Sequence, residues 1–469
     1  MKKFLYFVLV LFLASNGAIG QQLPTSNLEG VLEHENQRIT FIVKCYYDMD
    51  AYKAMLYIPE QFIFAKRAAA VYVKNDSLNF QFRDFQAVYA GRINREEMLV
   101  NGTWTQRGQD FPLVLHFKNN HEAVNFKRPQ EPKPPFSYIE KELSIPNKKA
   151  KIQLSGTLTL PDTLSEHTLV ILISGSGPQD RNEELGGHKP FLVIADHLTK
   201  NGIAVFRFDD RGVGKSGGDF ASATSLDFMS DVLSIVSFFK KYPNINSKKI
   251  GLVGHSEGGL VAMMSAAKAK KDVAFIVSLA GPGVNIVDLL LRQTEDIMRA
   301  SGANEDLVEL TRSVNYQLYN LALTQPNLDS LMSKMTGFLK EATAELSEKE
   351  IAEYGLKPEN IKMLSAQLFT PWMKYFLAIK PSDYIRKVKC PVLALNGSLD
   401  IQVSADENLE AIERFLTEGK NTSFKTVKIK GLNHLFQKAE KGTVGEYMLI
   451  EETFNELALK YITDFLKER

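Results

Sequence analysis

The sequence predicts an α/β domain, a mostly parallel sheet with helices on both faces and a helical cap insertion, preceded by a small antiparallel all-β domain. Three observations predict it. Uninterrupted apolar runs at 169–173, 203–208, 250–253, 273–279 and 392–395 are separated by helix-length amphipathic segments such as 227–240. Strands without polar alternation are covered on both faces, as in parallel sheets of α/β proteins. Residues from about 28 to 120 instead alternate with period two: Ile39, Phe41, Val43 and Cys45 share one face, as do Leu78, Phe80 and Phe82, and Phe111, Leu113, Leu115 and Phe117. Turn signals at Lys74-Asn75-Asp76 and Arg107-Gly108 separate such runs, the pattern of an antiparallel sheet. Between the two rhythms lies Arg128-Pro129-Gln130-Glu131-Pro132-Lys133-Pro134-Pro135, which suits neither strand interior nor helix and reads as a stiff linker.

The elements follow in order. Lys2 and Lys3 precede the apolar run 4–14, and Ala18-Ile19-Gly20 supplies small residues for cleavage. A run this short does not span a bilayer, so residues 1–20 are expected to be a secretory signal peptide, placing the mature chain in the periplasm or outside the cell. No cysteine stands at the cleavage site for lipid attachment. Residues 21–127 form the β domain, 128–140 the linker and 141–469 the α/β domain. The interval 284–387 is too long for one crossover and reads as several helices, one ending at Gly302 and one opening at the capping box Ser347-Glu348-Lys349-Glu350. Such an insertion is expected above the strand ends. The 469 residues are 44% hydrophobic, ample for a core, and 56 Lys+Arg balance 55 Asp+Glu, so nothing points to a nucleic acid partner. The two cysteines, Cys45 and Cys390, lie in different predicted domains and are expected as buried free thiols. No Cys/His cluster has metal-ligand spacing; no metal or cofactor is expected.

Chemistry is carried by Gly254-His255-Ser256-Glu257-Gly258. An apolar strand precedes it and small, helix-forming residues follow, the strand–turn–helix setting in which a serine is held clear of a sheet and glycines two residues to either side remove clashes. Serine needs a base to take its proton. On this type of turn the partners follow in the order Ser, acid, His. His434 is the only histidine after Ser256, in a loop behind the strand-like 424–429. Asp400 ends the loop after the strand 391–395, while Asp406 and Glu407 fall where the next helix begins, ordinary helix-start chemistry. The expected triad is therefore Ser256, Asp400 and His434. A tetrahedral oxyanion needs two backbone donors. Glu257 N–H is one; the other comes from the glycine-rich loop 174–181, assigned to Ser176 with Gly177 as its rival.

Ser-Gly-Ser-Gly-Pro-Gln-Asp-Arg (174–181), Asp210-Arg211-Gly212-Val213-Gly214-Lys215-Ser216, Gly-His-Ser-Glu-Gly, Asn396-Gly397-Ser398-Leu399-Asp400 and Asn433-His434 resemble the α/β-hydrolase superfamily. More closely, they are similar to bacterial EstD-type esterases, related to serine aminopeptidase-like hydrolases. The resemblance covers about residues 140–469, and Ser174 stands where many relatives carry histidine. It implies a serine hydrolase acting on a small-molecule carboxylic ester; from charge and the short N-terminal run, no nucleic acid partner and no membrane span in the mature chain are expected. The rivals are a peptidase on the same machinery and a non-catalytic binding protein on the same fold. Trp372 and Tyr375, in the aromatic stretch 370–376, are expected either as cap core or as a substrate-pocket wall. Glu183 and Glu184 are the carboxylates that could capture a peptide's free amine, though paired carboxylates in a polar loop are expected to be solvated.

Overall fold

The computed structural model describes residues 26–118, apart from 35–36, 49–50, 59–60, 62, 75 and 95, together with 128–344 and 358–469. The signal peptide expected at 1–20, the turn residue Asn75 and the capping box at 347–350 lie outside the described residues.

The N-terminal sheet is antiparallel throughout. Its strands are β1 (Ser26–His34), β2 (Gln37–Asp48), β3 (Ala51–Ile58), β4 (Ile63–Arg67), β5 (Ala70–Lys74), β6 (Ser77–Phe82), β7 (Ala87–Asn94), β8 (Leu99–Gln106) and β9 (Gln109–Lys118). They run in the order β4-β3-β2-β1-β9-β8-β7-β6-β5. Period two does what it should: Phe41, Val43, Leu78, Phe80, Leu113 and Leu115 turn inward to one core. Trp104 belongs to that core, with its ring 4.9 Å from Phe41 and 5.7 Å from Phe82. Cys45 is free and half-buried on β2, and Cys390 is free and half-buried just before a strand of the second sheet. Burial pushes both thiols up to about 12, so neither is a ready thiolate.

The second sheet comprises β10 (Ile139–Asn147), β11 (Ile152–Leu160), β12 (His167–Ile173), β13 (Ala204–Phe208), β14 (Ile245–His255), β15 (Ile276–Leu279), β16 (Val392–Gly397) and β17 (Phe424–Ile429), ordered β10-β11-β13-β12-β14-β15-β16-β17. The last six are parallel, as the apolar runs predict. β10 and β11 add an antiparallel edge hairpin, β11 pairing with β13. β10 alternates exposed and inward residues, the signature of an edge with one wet face.

Helices cover both faces. On one side lie α1 (Pro190–Lys200) and the C-terminal helix; on the other α2 (Ser225–Phe239) and α3 (Glu257–Lys268). The helix expected at 227–240 starts two residues earlier because Thr224 and Asp227 form a capping box. The insertion carries α4 (Ile286–Ala300), α5 (Glu305–Thr324), α6 (Leu328–Ala342), α7 (Pro358–Leu368) and α8 (Pro371–Ala378), then the single turn α9 (Ser382–Ile385). It has its own core around Leu318, Leu331, Met335 and Leu364. Phe376 and Ile379 pack on Leu260 and Met264 of α3, which seats the cap on the helix behind Ser256. The chain ends with α10 (Ala405–Glu418), α11 (Val444–Tyr447) and α12 (Glu456–Lys467). Among the described residues no helix is long and apolar enough to cross a membrane.

The Pro-rich stretch differs from a free spacer. Residues 128–138 have no helix or strand, and β10 starts at Ile139. They are bonded to the α/β domain: the Arg128 guanidinium donates to the carbonyls of Gly186 (3.1 Å), Gly187 (3.3 Å), Met448 (2.8 Å) and Ile450 (3.0 Å). Gln130 donates to Phe454 O and accepts from Thr453 and Phe454 N–H. Proline withholds its own N–H, so the polar side chains between the prolines make the attachment. Arg128→Ala should leave several part-buried carbonyls without their charged donor, costing about 3 kcal/mol and lowering Tm by about 5 °C. A chain beginning at 128 should accordingly melt higher than one beginning at 141; equal melting by calorimetry would show that the clamp contributes nothing.

Candidate active site

β14 delivers Ser256 to the turn before α3 with φ 52° and ψ −123°, a conformation that costs an L-residue free energy and persists only where its surroundings impose it. The surroundings are unusually close. A Cβ on Gly254 would lie 2.0 Å from Gly258 O, and one on Gly258 would lie 2.2 Å from Ile173 O and 2.5 Å from Ser174 O. Both glycines are demanded by backbone touching backbone. Ser256 N–H donates to Leu279 O, fastening the turn to β15. Because Ser256 is the N-cap, Glu257 N–H is one of the first amides of α3, which have no partner within the helix.

Of the carboxylates considered from sequence, Asp400 is the one that reaches the histidine. Its Oδ2 accepts from His434 Nδ1 at 2.7 Å, and its Oδ1 accepts from Gln402 and Val403 N–H, both at 2.8 Å. Both side chains are buried. Asp406 pairs with Lys428 on the surface and Glu407 with Arg292. With Nδ1 donating to Asp400, His434 Nε2 carries the lone pair, the tautomer a general base requires. Ser256 Oγ makes no hydrogen bond to His434 among the described residues; catalytic bonds of this kind are often long before substrate binds. The neighbouring His255 joins the two loops instead, its Nε2 lying 3.0 Å from His434 O and its ring centroid 4.7 Å from that of His434.

The loop after β12 lies directly on the serine. A Cβ on Gly175 would sit 3.1 Å from Ser256 Cβ. Ser174 Oγ donates to Asp210 Oδ1 at 2.8 Å, so the residue standing in place of histidine ties this loop to the one after β13. Ser176 Oγ donates to Glu257 Oε2 at 2.9 Å, linking the two residues expected to supply the oxyanion amides; Gly177 adopts φ 94°. Glu257, 2% exposed, also accepts from Ser225 Oγ and from Trp372 Nε1. Burial raises the Glu257 carboxyl above the usual range, and the three donors only partly offset this. Burial also raises the Asp210 carboxyl well above the usual range, against donation from Ser174 and Gln179, with Glu183 and Glu257 adding like charge.

Trp372 is thus half-buried, stacked 5.1 Å from Phe376 and bonded to Glu257, a cap residue fastened to the helix that follows Ser256. Tyr375 is half-buried beside Tyr384, the hydroxyls 3.4 Å apart. Glu184 is exposed, but Glu183 departs from the solvated expectation. It is 5% exposed, holds φ 52°, and its Oε1 meets Gly175 N–H at 2.6 Å and His255 Nδ1 at 2.9 Å. His255 stands in plain view within the serine motif, yet no sequence signal pairs it with Glu183. Among the described residues no cluster could hold a metal ion.

A mostly parallel sheet, a left-handed serine turn at the end of a central strand and a cap seated on the following helix define the α/β-hydrolase fold. Residues 188–438, more than half of the chain, match the family described as serine aminopeptidase, S33, and the protein belongs to that family. It is 25% identical over 388 residues to esterase EstD of Thermotoga maritima, covering 80% of this chain and 81% of that one. Solved structures similar to it include Est1E of Butyrivibrio proteoclasticus with ferulic acid bound (19% identity, 70% of this chain and 96% of that chain, TM-score 0.40) and an esterase of Pyrococcus furiosus (19%, 71% and 91%, 0.42).

Two outcomes follow from this geometry. Asp400→Asn should lower kcat by about 10⁴, because the amide no longer selects the Nδ1–H tautomer, whereas Asp406→Asn should stay near wild type. Gly258→Ala should destabilise the fold by about 1–3 kcal/mol in denaturant melts, since its methyl meets backbone that cannot move aside cheaply.

Proposed function

We propose that the chain is an exported serine hydrolase that cleaves small carboxylic esters through Ser256, His434 and Asp400. The observation that carries the reading is the buried 2.7 Å bond from His434 Nδ1 to Asp400, in a loop that His255 joins to the strained serine turn. His434 Nε2 takes the hydroxyl proton as Ser256 Oγ bonds to the carbonyl carbon. The oxyanion forms against the amides of Glu257 and Ser176, at a helix N-terminus whose dipole favours negative charge. Collapse breaks the carbonyl–alkoxy bond, and His434 hands its proton to the departing alcohol. Water, deprotonated by the same imidazole, then attacks the acyl-enzyme, and the carboxylic acid leaves with Ser256 reprotonated. Export rests on the basic-then-apolar pattern of residues 2–14.

The family's description favours peptide substrates as the second reading. An aminopeptidase needs a carboxylate free to hold the substrate's ammonium group. Of the two carboxylates expected for that task, Glu183 is engaged by His255 and Gly175, and Glu257 beside the serine is engaged by two hydroxyls and an indole, which leaves only the exposed Glu184 and supports the ester reading. The name of the relative EstD points the same way.

Ser256→Ala should fold normally, lose turnover and lose labelling by a fluorophosphonate probe; labelling of the folded variant would sink the nucleophile assignment. The wild-type enzyme should accelerate hydrolysis of a short-chain nitrophenyl ester over its uncatalysed rate by more than it accelerates any aminoacyl nitroanilide. The reverse ranking would establish the peptidase.

A further inference from the structure

His255 faces acceptors on both sides of its ring. Nδ1 lies 2.9 Å from Glu183 Oε1 and Nε2 lies 3.0 Å from the carbonyl oxygen of His434. A neutral imidazole has one N–H and can satisfy only one of them; an imidazolium has two. The alternative is a protonated Glu183 giving its hydrogen to Nδ1. That is disfavoured because the same Oε1 already accepts Gly175 N–H at 2.6 Å, a bond that prefers a carboxylate.

We propose that Glu183 and His255 form a buried ion pair that positions the site, holding the oxyanion loop and the His434 loop at a fixed distance from Ser256. One carboxylate oxygen sets Gly175, whose Cα faces the Ser256 side chain, and one ring nitrogen sets the backbone from which the His434 imidazole springs. Glu183 reaches this position only by adopting a left-handed backbone, which needs a compensating interaction to persist. The inference rests on the triad reading for its catalytic consequence, although the charge state of His255 does not.

The pair has a pH dependence with a definite sign. The groups facing His255 are Glu183, the His434 ring and, beyond it, Asp400; Asp210 faces Glu183 from the loop after β13. Burial opposes charge on His255, but Glu183, its hydrogen bond, the His434 carbonyl and Asp400 outweigh it and raise the pKa above that of an ordinary histidine. Because the folded value lies above the unfolded one, the stabilisation is fully present at acid pH and is lost as pH climbs through the folded value. Neutral His255 then drops one of its two acceptors.

The test is made on the intact enzyme. With ¹⁵N-labelled histidine, both ring nitrogens of His255 should show imidazolium shifts at pH 7, assigned by their loss in His255→Gln. One protonated and one bare nitrogen would overturn the proposal without reference to activity. In Glu183→Gln, kcat for a nitrophenyl ester should fall about 10- to 100-fold with KM near wild type, as for a site slightly out of alignment. Its alkaline decline in kcat should begin about one to three pH units lower, the size of shift that loss of one close opposite charge produces. Glu183→Asp should recover part of both. A folded Glu183→Gln enzyme with the wild-type kcat and alkaline limb would also overturn the proposal; a lower Tm alone would indicate a merely structural pair and count against it. Fluorophosphonate labelling of the wild type separates the two readings: its absence removes the nucleophile, while labelling of an enzyme whose His255 is neutral removes only the ion pair.

Discussion

The left-handed turn at Ser256 is the constraint on which the rest of the site depends. Its φ of 52° is tolerable because Gly254 and Gly258 let the end of β14 and the start of α3 meet backbone against backbone. Gly258 in turn rests on the carbonyls of Ile173 and Ser174, so the position of the serine fixes where the loop after β12 departs. Ser256 N–H adds β15 to the same junction. Three parallel strands therefore converge on one residue, and their shared register transmits any displacement to all of them. Loops carrying Asp400 and His434 leave β16 and β17 on the same side of the sheet, as ligand-binding segments of open α/β sheets do.

Around this turn the protein buries several carboxyl groups. Isolated carboxylates in such surroundings would be strongly disfavoured, and each here has donors: Asp400 two amides and an imidazole, Glu257 two hydroxyls and an indole, Glu183 an amide and His255. The polar network is also mechanical. Glu257 binds the cap through Trp372 and the loop after β12 through Ser176, so the positions of cap and loop are coupled through one side chain. Rotating the cap would strip a donor from a buried carboxylate, which opposes a loosely hinged lid. Behind the site, Arg128 joins the stretch at 186–187 to the stretch at 448–450, and His188, buried between Thr453 and Tyr447, lies in the same region. Burial lowers His188 to about 4, so it serves there as a neutral hydrogen-bonding group at physiological pH.

The sequence by itself determined what depends on neighbours along the chain. Apolar runs marked the parallel strands, period two marked the N-terminal sheet, and Gly-x-Ser-x-Gly between a strand and a helix marked the serine turn, because its steric demand is local at two residues to either side. Chain order and the loop after the strand at 391–395 narrowed the expected acid to three carboxylates, and chain order narrowed the expected base to His434. Tertiary structure decided everything that depends on residues distant in sequence. It brought Asp400 rather than Asp406 to the imidazole, because Asp400 closes the turn after β16 while Asp406 points from α10 to Lys428. It turned Glu183 inward, where composition suggested a solvated carboxylate, because its partner lies 72 positions away at the end of β14. It bound the Pro-rich stretch to the α/β domain through Arg128, whose partners are about 60 and 320 residues removed. A side chain's preference is written locally, but whether its charge meets water or a buried partner is fixed only when the strands assemble.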